Sequence, residues 1–189
     1  EKCPNFYRNI GDKEMNKYSI KSNRQDYYFF PWNEDKYKIL NIFYEKWRYI
    51  KYISGLDKKA FEKNTPKNGV IDRLLIRRYP HNTGFLETHV DIDVNVRIVS
   101  GVFMSKKFKD YDEGGIYLFN KKNKKIDIEK KIDVGDMSLF YATLKHGVDR
   151  IIDYKKSNKD EKKRGRWWVC LTNPESDEIK NRSSHIPIK

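Results

Sequence analysis

The sequence predicts a mainly β domain with flanking α structure, and three observations carry that expectation. Five short segments rich in strand-forming residues lie between positions 70 and 172, clusters of turn residues separate them, and no helical period interrupts the series. Short strands joined without helices favour an antiparallel barrel or jelly roll of the cupin-like kind.

Residues 1–32 are polar and aromatic with little period, ending in Tyr27-Tyr28-Phe29-Phe30-Pro31-Trp32, and read as a capping segment. A helix is expected next, with Asn33 as N-cap and Glu34 and Asp35 in its first turn. Its apolar stripe is Leu40, Phe43, Tyr44, Trp47 and Ile50, and it closes at Ser54-Gly55. That spacing is ordinary packing against a sheet. After the breakers Asn64-Thr65-Pro66-Lys67-Asn68-Gly69 the pattern turns to strands, predicted at Val70–Tyr79, Val96–Ser105, Gly115–Phe119, Met137–Leu144 and Trp167–Thr172. Pro80 to Gly84, Asp112 to Gly115 and Val134 to Asp136 mark turns. The lysine-rich runs Lys121–Lys125 and Lys155–Arg164 read as solvated loops. The whole, 1–189, is expected to be a single domain: a helical and capping segment over 1–69, a β core over 70–172 and a tail over 173–189.

Composition narrows the class. The chain has 189 residues, 38% hydrophobic and 14% aromatic, enough to bury one core built largely from rings among charged strands. No run of roughly eighteen uncharged apolar residues exists, so a membrane span is not expected. Two distant cysteines, Cys3 and Cys170, cannot form a disulfide framework, which fits a cytoplasmic or otherwise intracellular setting. The net charge of +13 raises a polyanion partner. The lysines are spread along the chain with abundant Asn, Ile and Tyr, however, as an AT-rich coding bias would produce, so nucleic acid is the less favoured partner.

The chemistry gathers at His89-Val90-Asp91. On an extended segment the side chains at i and i+2 share a face, so His89 and Asp91 can reach one cation, with His146 arriving from another strand. Two imidazoles and a carboxylate on one face of an octahedral ion leave three positions open, the arrangement non-haem Fe(II) oxygenases use for a keto acid and dioxygen. A closed zinc site would need a fourth ligand.

From Arg78 onward, the order Arg78-Tyr79-Pro80, Gly84-Phe85, His89-Val90-Asp91, Gly114-Gly115, Gly135-Asp136, His146-Gly147-Val148 and Gly165-Arg166 resembles the Fe(II)- and 2-oxoglutarate-dependent dioxygenases, in particular their prolyl-4-hydroxylase-like branch. The resemblance covers about residues 70–172. It implies a double-stranded β-helix with the metal at its open end and N-terminal helices packed on the major sheet. It further implies Fe(II) held by His89, Asp91 and His146, with 2-oxoglutarate and O2 as co-substrates, ascorbate in support, and release of succinate and CO2 as a C–H bond is hydroxylated. Related halogenases lack the carboxylate, so Asp91 favours hydroxylation.

The resemblance places Arg166 against the distal carboxylate of 2-oxoglutarate, with Arg164 in reserve at the same parity. A guanidinium suits the task, being always charged with two parallel donors. Tyr79 matches a tyrosine beside the co-substrate, or is a core ring. Phe103 stands where oxygen-sensing relatives carry a donor tyrosine, so Thr143, Tyr141 or a water must substitute. Trp168 shares the face of Arg166 and is larger than the residue usual there, which narrows the space.

Parity also bears on the primary substrate. Arg77 shares a face with Tyr79, and Arg97 with Val99, Gly101 and Phe103, so both arginines are expected to point inward. Each then meets an acidic group, on the substrate or within the protein at Asp72, Asp93 or Glu87. His81 sits in the turn after Pro80, expected near the mouth of the site, where it would touch substrate or solvent. Asp93 reads as an outer carboxylate, and His185 as part of the tail. Two substrates compete, a peptidyl residue of prolyl type and a free amino-acid-like small molecule. A nucleic-acid-directed oxygenase and a catalytically silent jelly-roll binding module are the alternatives.

Overall fold

The computed structural model describes residues 6–10, 20–91, 95, 97–154, 163–176, 178 and 186–187, with backbone alone for 6–10 and 186–187. Asp93, His185, Cys3 and most of the 155–164 run lie outside the described residues.

Among the described residues eleven strands form one curled, wholly antiparallel sheet. They are β1 (Phe6–Ile10), β2 (Ser22–Phe29), β3 (Arg73–Pro80), β4 (Phe85–Val90), β5 (Ile98–Phe103), β6 (Glu113–Phe119), β7 (Lys125–Asp127), β8 (Met137–Tyr141), β9 (His146–Ile152), β10 (Gly165–Thr172) and β11 (Ile186–Pro187). The hydrogen-bonded order is β7-β6-β9-β4-β2-β3-β10-β5-β8, with β1 on β2 and β11 on β4. Consecutive strands cross from the β8-β5-β10-β3 side to the β4-β9-β6-β7 side, which is the connectivity of a double-stranded β-helix. Strand β2 bridges the two sides: Ser22 and Asn23 pair with β4, while Gln25 to Phe29 pair with β3.

The alternation along β3 sorts the molecule into two cores. Leu75 and Tyr79 face the barrel interior with Tyr28, Phe103, Trp168 and Cys170. Leu74 faces outward with Val169 and Leu171, onto α1 (Ile39–Ile53). The helix buries Leu40, Tyr44, Trp47 and Ile50 of the stripe its spacing predicted, leaves Phe43 partly buried, and adds the charged Lys51. Lys51 donates to Asp72 at 2.7 Å and to the Ala60 carbonyl at 2.5 Å, and neither partner of the pair is exposed.

Two expectations need correction. The helical and capping segment over 1–69 also contributes strands. Among the described residues it holds strands β1 and β2 and one α-helix, which does pack on the outer face of the larger side. The helix also starts later than Asn33. The Asn33 side chain accepts from the Phe30 amide in a preceding turn, and Asp35 instead caps the helix, taking the Ile39 and Leu40 amides at 2.8 Å each. No helix among the described residues is long and apolar enough to cross a membrane.

Candidate metal centre

Strands β4 and β9 lie side by side with His89 and His146 as direct partners, after a register shift between Leu86 and His89. Their imidazole centroids stand 4.2 Å apart. Asp91 follows the end of β4, and its carboxylate lies between the rings, 3.4 Å from His89 Nε2 by Oδ1 and 3.5 Å from His146 Nε2 by Oδ2. One ligand atom from each residue falls within 4.8 Å of the others. Ligands at right angles about 2.1 Å from a shared ion sit about 3 Å apart, so little movement brings these three onto one cation.

The tautomers suit that role. His89 Nδ1 lies 2.9 Å from the Glu87 carbonyl and His146 Nδ1 lies 2.8 Å from the Leu144 carbonyl. A carbonyl can only accept, so each Nδ1 carries the proton and each Nε2 presents its lone pair to the carboxylate. Both histidines are buried, and Asp91 is half-buried.

Deeper in the barrel Arg166 is fully buried, beside its cross-strand partner Tyr79. Its guanidinium carbon lies 5.4 Å from the Tyr79 ring and 5.5 Å from each of the Phe103 and Trp168 rings. Nε donates to Glu129 Oε1 at 2.8 Å. Among the described residues, Nη1 and Nη2 are buried without a hydrogen-bond partner, as are the Tyr79 hydroxyl and the Trp168 indole nitrogen. Burial works against the charge on Arg166, but Glu129 outweighs it and raises the pKa. Orphan donors cost about 1–3 kcal/mol each, so a cluster of them, all donors, fits an acceptor-rich anion.

Glu129 had no sequence signal of its own. It lies in a short turn of 3-10 helix, Glu129–Lys131, within a run of alternating charge. Its carboxylate also accepts from the Tyr111 hydroxyl and the Ile116 amide. Burial, then Glu129, pushes the Tyr111 phenol up. The hint lay in Gly115, whose φ of 106° is left-handed and whose missing Cβ would stand 2.9 Å from that carboxyl carbon. Gly101 similarly makes room for Trp168, whose indole fills the place of its missing Cβ. That is how the barrel takes a tryptophan there.

The other expected residues are dispersed. Arg164 pairs with Asp153 at 2.9 Å. Thr143 is exposed in the turn after β8 and Tyr141 is exposed on it. Arg97 is exposed, because β5 begins only at Ile98 and strand alternation does not reach back to it. His81 precedes β4 while the triad follows it, so it lies at the far end of that strand from His89 rather than at the mouth of the site. Arg77 does face inward and is held by Asp26, Nε to Oδ1 at 2.7 Å and Nη2 to Oδ2 at 3.0 Å, a partner the sequence reading did not name.

No protein-family model matches this sequence, and no curated protein does. Among solved structures, the chain is similar to a Pseudomonas putida prolyl-4-hydroxylase at 14% identity and a TM-score of 0.49, over 79% of this chain and 68% of that one. It is also similar to a full-length Neurospora crassa protein solved in complex with alpha-KG, at 12% identity and a TM-score of 0.45, over 93% of this chain and 63% of that one. The strand order, rather than these distant likenesses, carries the fold.

Proposed function

We propose that this chain is an Fe(II)- and 2-oxoglutarate-dependent dioxygenase, built as one domain, that hydroxylates a C–H bond of an amino-acid-like substrate. The observation that carries the reading is the convergence of His89, Asp91 and His146, with both Nε2 atoms turned to one carboxylate. Three protein ligands with one negative charge suit a divalent ion that must still accept a keto acid and dioxygen. When bound, the iron and keto acid would supply the oxidising power, with succinate and CO2 as the co-product.

The remaining residues bind, orient and exclude water. Arg166 offers its Nη1 and Nη2 edge to the distal carboxylate of 2-oxoglutarate, and the Tyr79 hydroxyl is a further donor beside it. Glu129 holds the guanidinium by Nε, which leaves that edge free for a ligand. The rings of Tyr79, Phe103 and Trp168 keep the surroundings dry, so each hydrogen bond to the co-substrate counts for more than in water. Trp168 also narrows the space, favouring a slim co-substrate.

The test is coupled turnover. Purified chain with Fe(II), ascorbate and 2-oxoglutarate is expected to release succinate slowly alone and faster with a peptide or free amino acid from a screened panel. Succinate at the rate of a protein-free control under every condition would count against the reading.

A further inference from the structure

Beside the metal centre the barrel interior carries more positive charge than its own carboxylates balance. Strand β3 turns Arg73 and Arg77 inward, on the face of Leu75 and Tyr79, and β2 turns Asp26 toward them. Asp26 is fully buried and takes both Arg77 and Arg24. Burial pushes its pKa up, but the two guanidinia prevail and hold it at about 2. Arg73 has no such partner. Its Nε donates to the Thr172 hydroxyl at 3.2 Å and its guanidinium lies 4.8 Å over the Tyr28 ring, with no ion pair among the described residues. Burial lowers its pKa.

This cluster lies at the triad's end of the barrel. Strands β3 and β4 are joined at the Pro80–Gly84 turn, so the start of β3, with Arg73, and the end of β4, with His89, lie at the same end of the barrel. Cys170, the cross-strand partner of Leu75, lies on the same inner face. Burial first, with Asp91 and Asp26, drives its thiol up to about 12, while Arg77 and Arg73 oppose the shift. Three part-buried guanidinia around the buried Asp26 leave an excess of positive charge that an anion would relieve.

Resting on the oxygenase reading, we propose that the primary substrate carries an oxyanion, a carboxylate or a phosphate, which docks on Arg73 and the edge of Arg77 and so places its C–H bond before the metal. Arg73 is then a specificity-determining residue, distinct from Arg166.

The experiment uses the full chain with Mn(II), saturated with N-oxalylglycine so that the Arg166 site is filled. Inorganic phosphate and acetate are then titrated by calorimetry at constant ionic strength. One anion site is expected, weakened about tenfold or more in Arg73→Leu. N-oxalylglycine affinity should stay within about twofold, and a surface control, Lys36→Ala, should match the parent. Arg73→Gln serves if the leucine variant fails to fold. Tighter phosphate assigns a phosphate ester and tighter acetate a carboxylic acid. Anion binding that is insensitive to Arg73, or that N-oxalylglycine abolishes, overturns the proposal, the second result giving the cluster to the co-substrate. If Mn(II) and N-oxalylglycine do not bind at all, the oxygenase reading fails separately, and the same anion titration on the metal-free chain still decides the Arg73 site.

Discussion

The two faces of one sheet bury charge in opposite ways. On the outer face, under α1, Lys51 is matched by Asp72 and the Ala60 carbonyl. On the inner face, among the described residues, Arg166 spends only Nε on Glu129 and leaves two buried nitrogens without a hydrogen-bond partner, while Arg73 makes no ion pair. A pair completed within the protein serves the fold. A cation left incomplete in a dry interior is a place for something else to bind.

The largest expected effect breaks the outer face. Lys51→Met leaves the Asp72 carboxylate buried with the Asn173 amide but no counter-charge, and should lower unfolding free energy by about 3–5 kcal/mol in urea titration. Mn(II) affinity should not change once the variant is folded. On the inner face the pattern reverses. Arg166→Lys keeps a charge for Glu129 but loses the planar fork, so N-oxalylglycine binding should weaken about 10- to 100-fold, with little change in melting temperature. Equal losses in both properties would erase the contrast between the faces.

Asp26 belongs to both behaviours, since it is a completed pair that borders the site. Its folded pKa of about 2 lies below the ordinary value of 3.8. The resulting stability, about 2 kcal/mol, is therefore present above pH 3.8 and lost as pH falls from there to about 2. Urea midpoints across that window should show the loss, and Asp26→Asn should flatten it. The smallest effect is assigned to Glu129→Gln, which keeps an acceptor for Arg166 and removes the negative charge facing the distal carboxylate. N-oxalylglycine should bind a fewfold more tightly, by about 1 kcal/mol or less. Unchanged or weaker binding would make Glu129 a purely structural partner.

The same contrast decides what the sequence reveals. The outer face was legible because α1 and the outward residues of β3 follow simple hydrophobic periods, as Leu40, Tyr44, Trp47 and Ile50 do. The triad was legible because His89 and Asp91 need only an extended backbone to share a face. Strand β2 was not, because its inward positions are Arg24, Asp26 and Tyr28, and a strand whose core face is polar reads as irregular. Glu129 looked like one more solvated charge, and only its approach over Gly115 explains its burial. Arg97 failed because a strand period was extended past the end of the strand. What the sequence hid was mostly the polar interior.

The triad itself is tested most directly by metal titration. Calorimetry with Mn(II) on the parent chain, His89→Ala, Asp91→Ala and His146→Ala should give a single site in the parent. Each variant should lose about 100-fold or more in affinity while its melting temperature holds near the parent's. Mn(II) binding that survives undiminished in any one of the three variants would mean that these side chains do not share an ion.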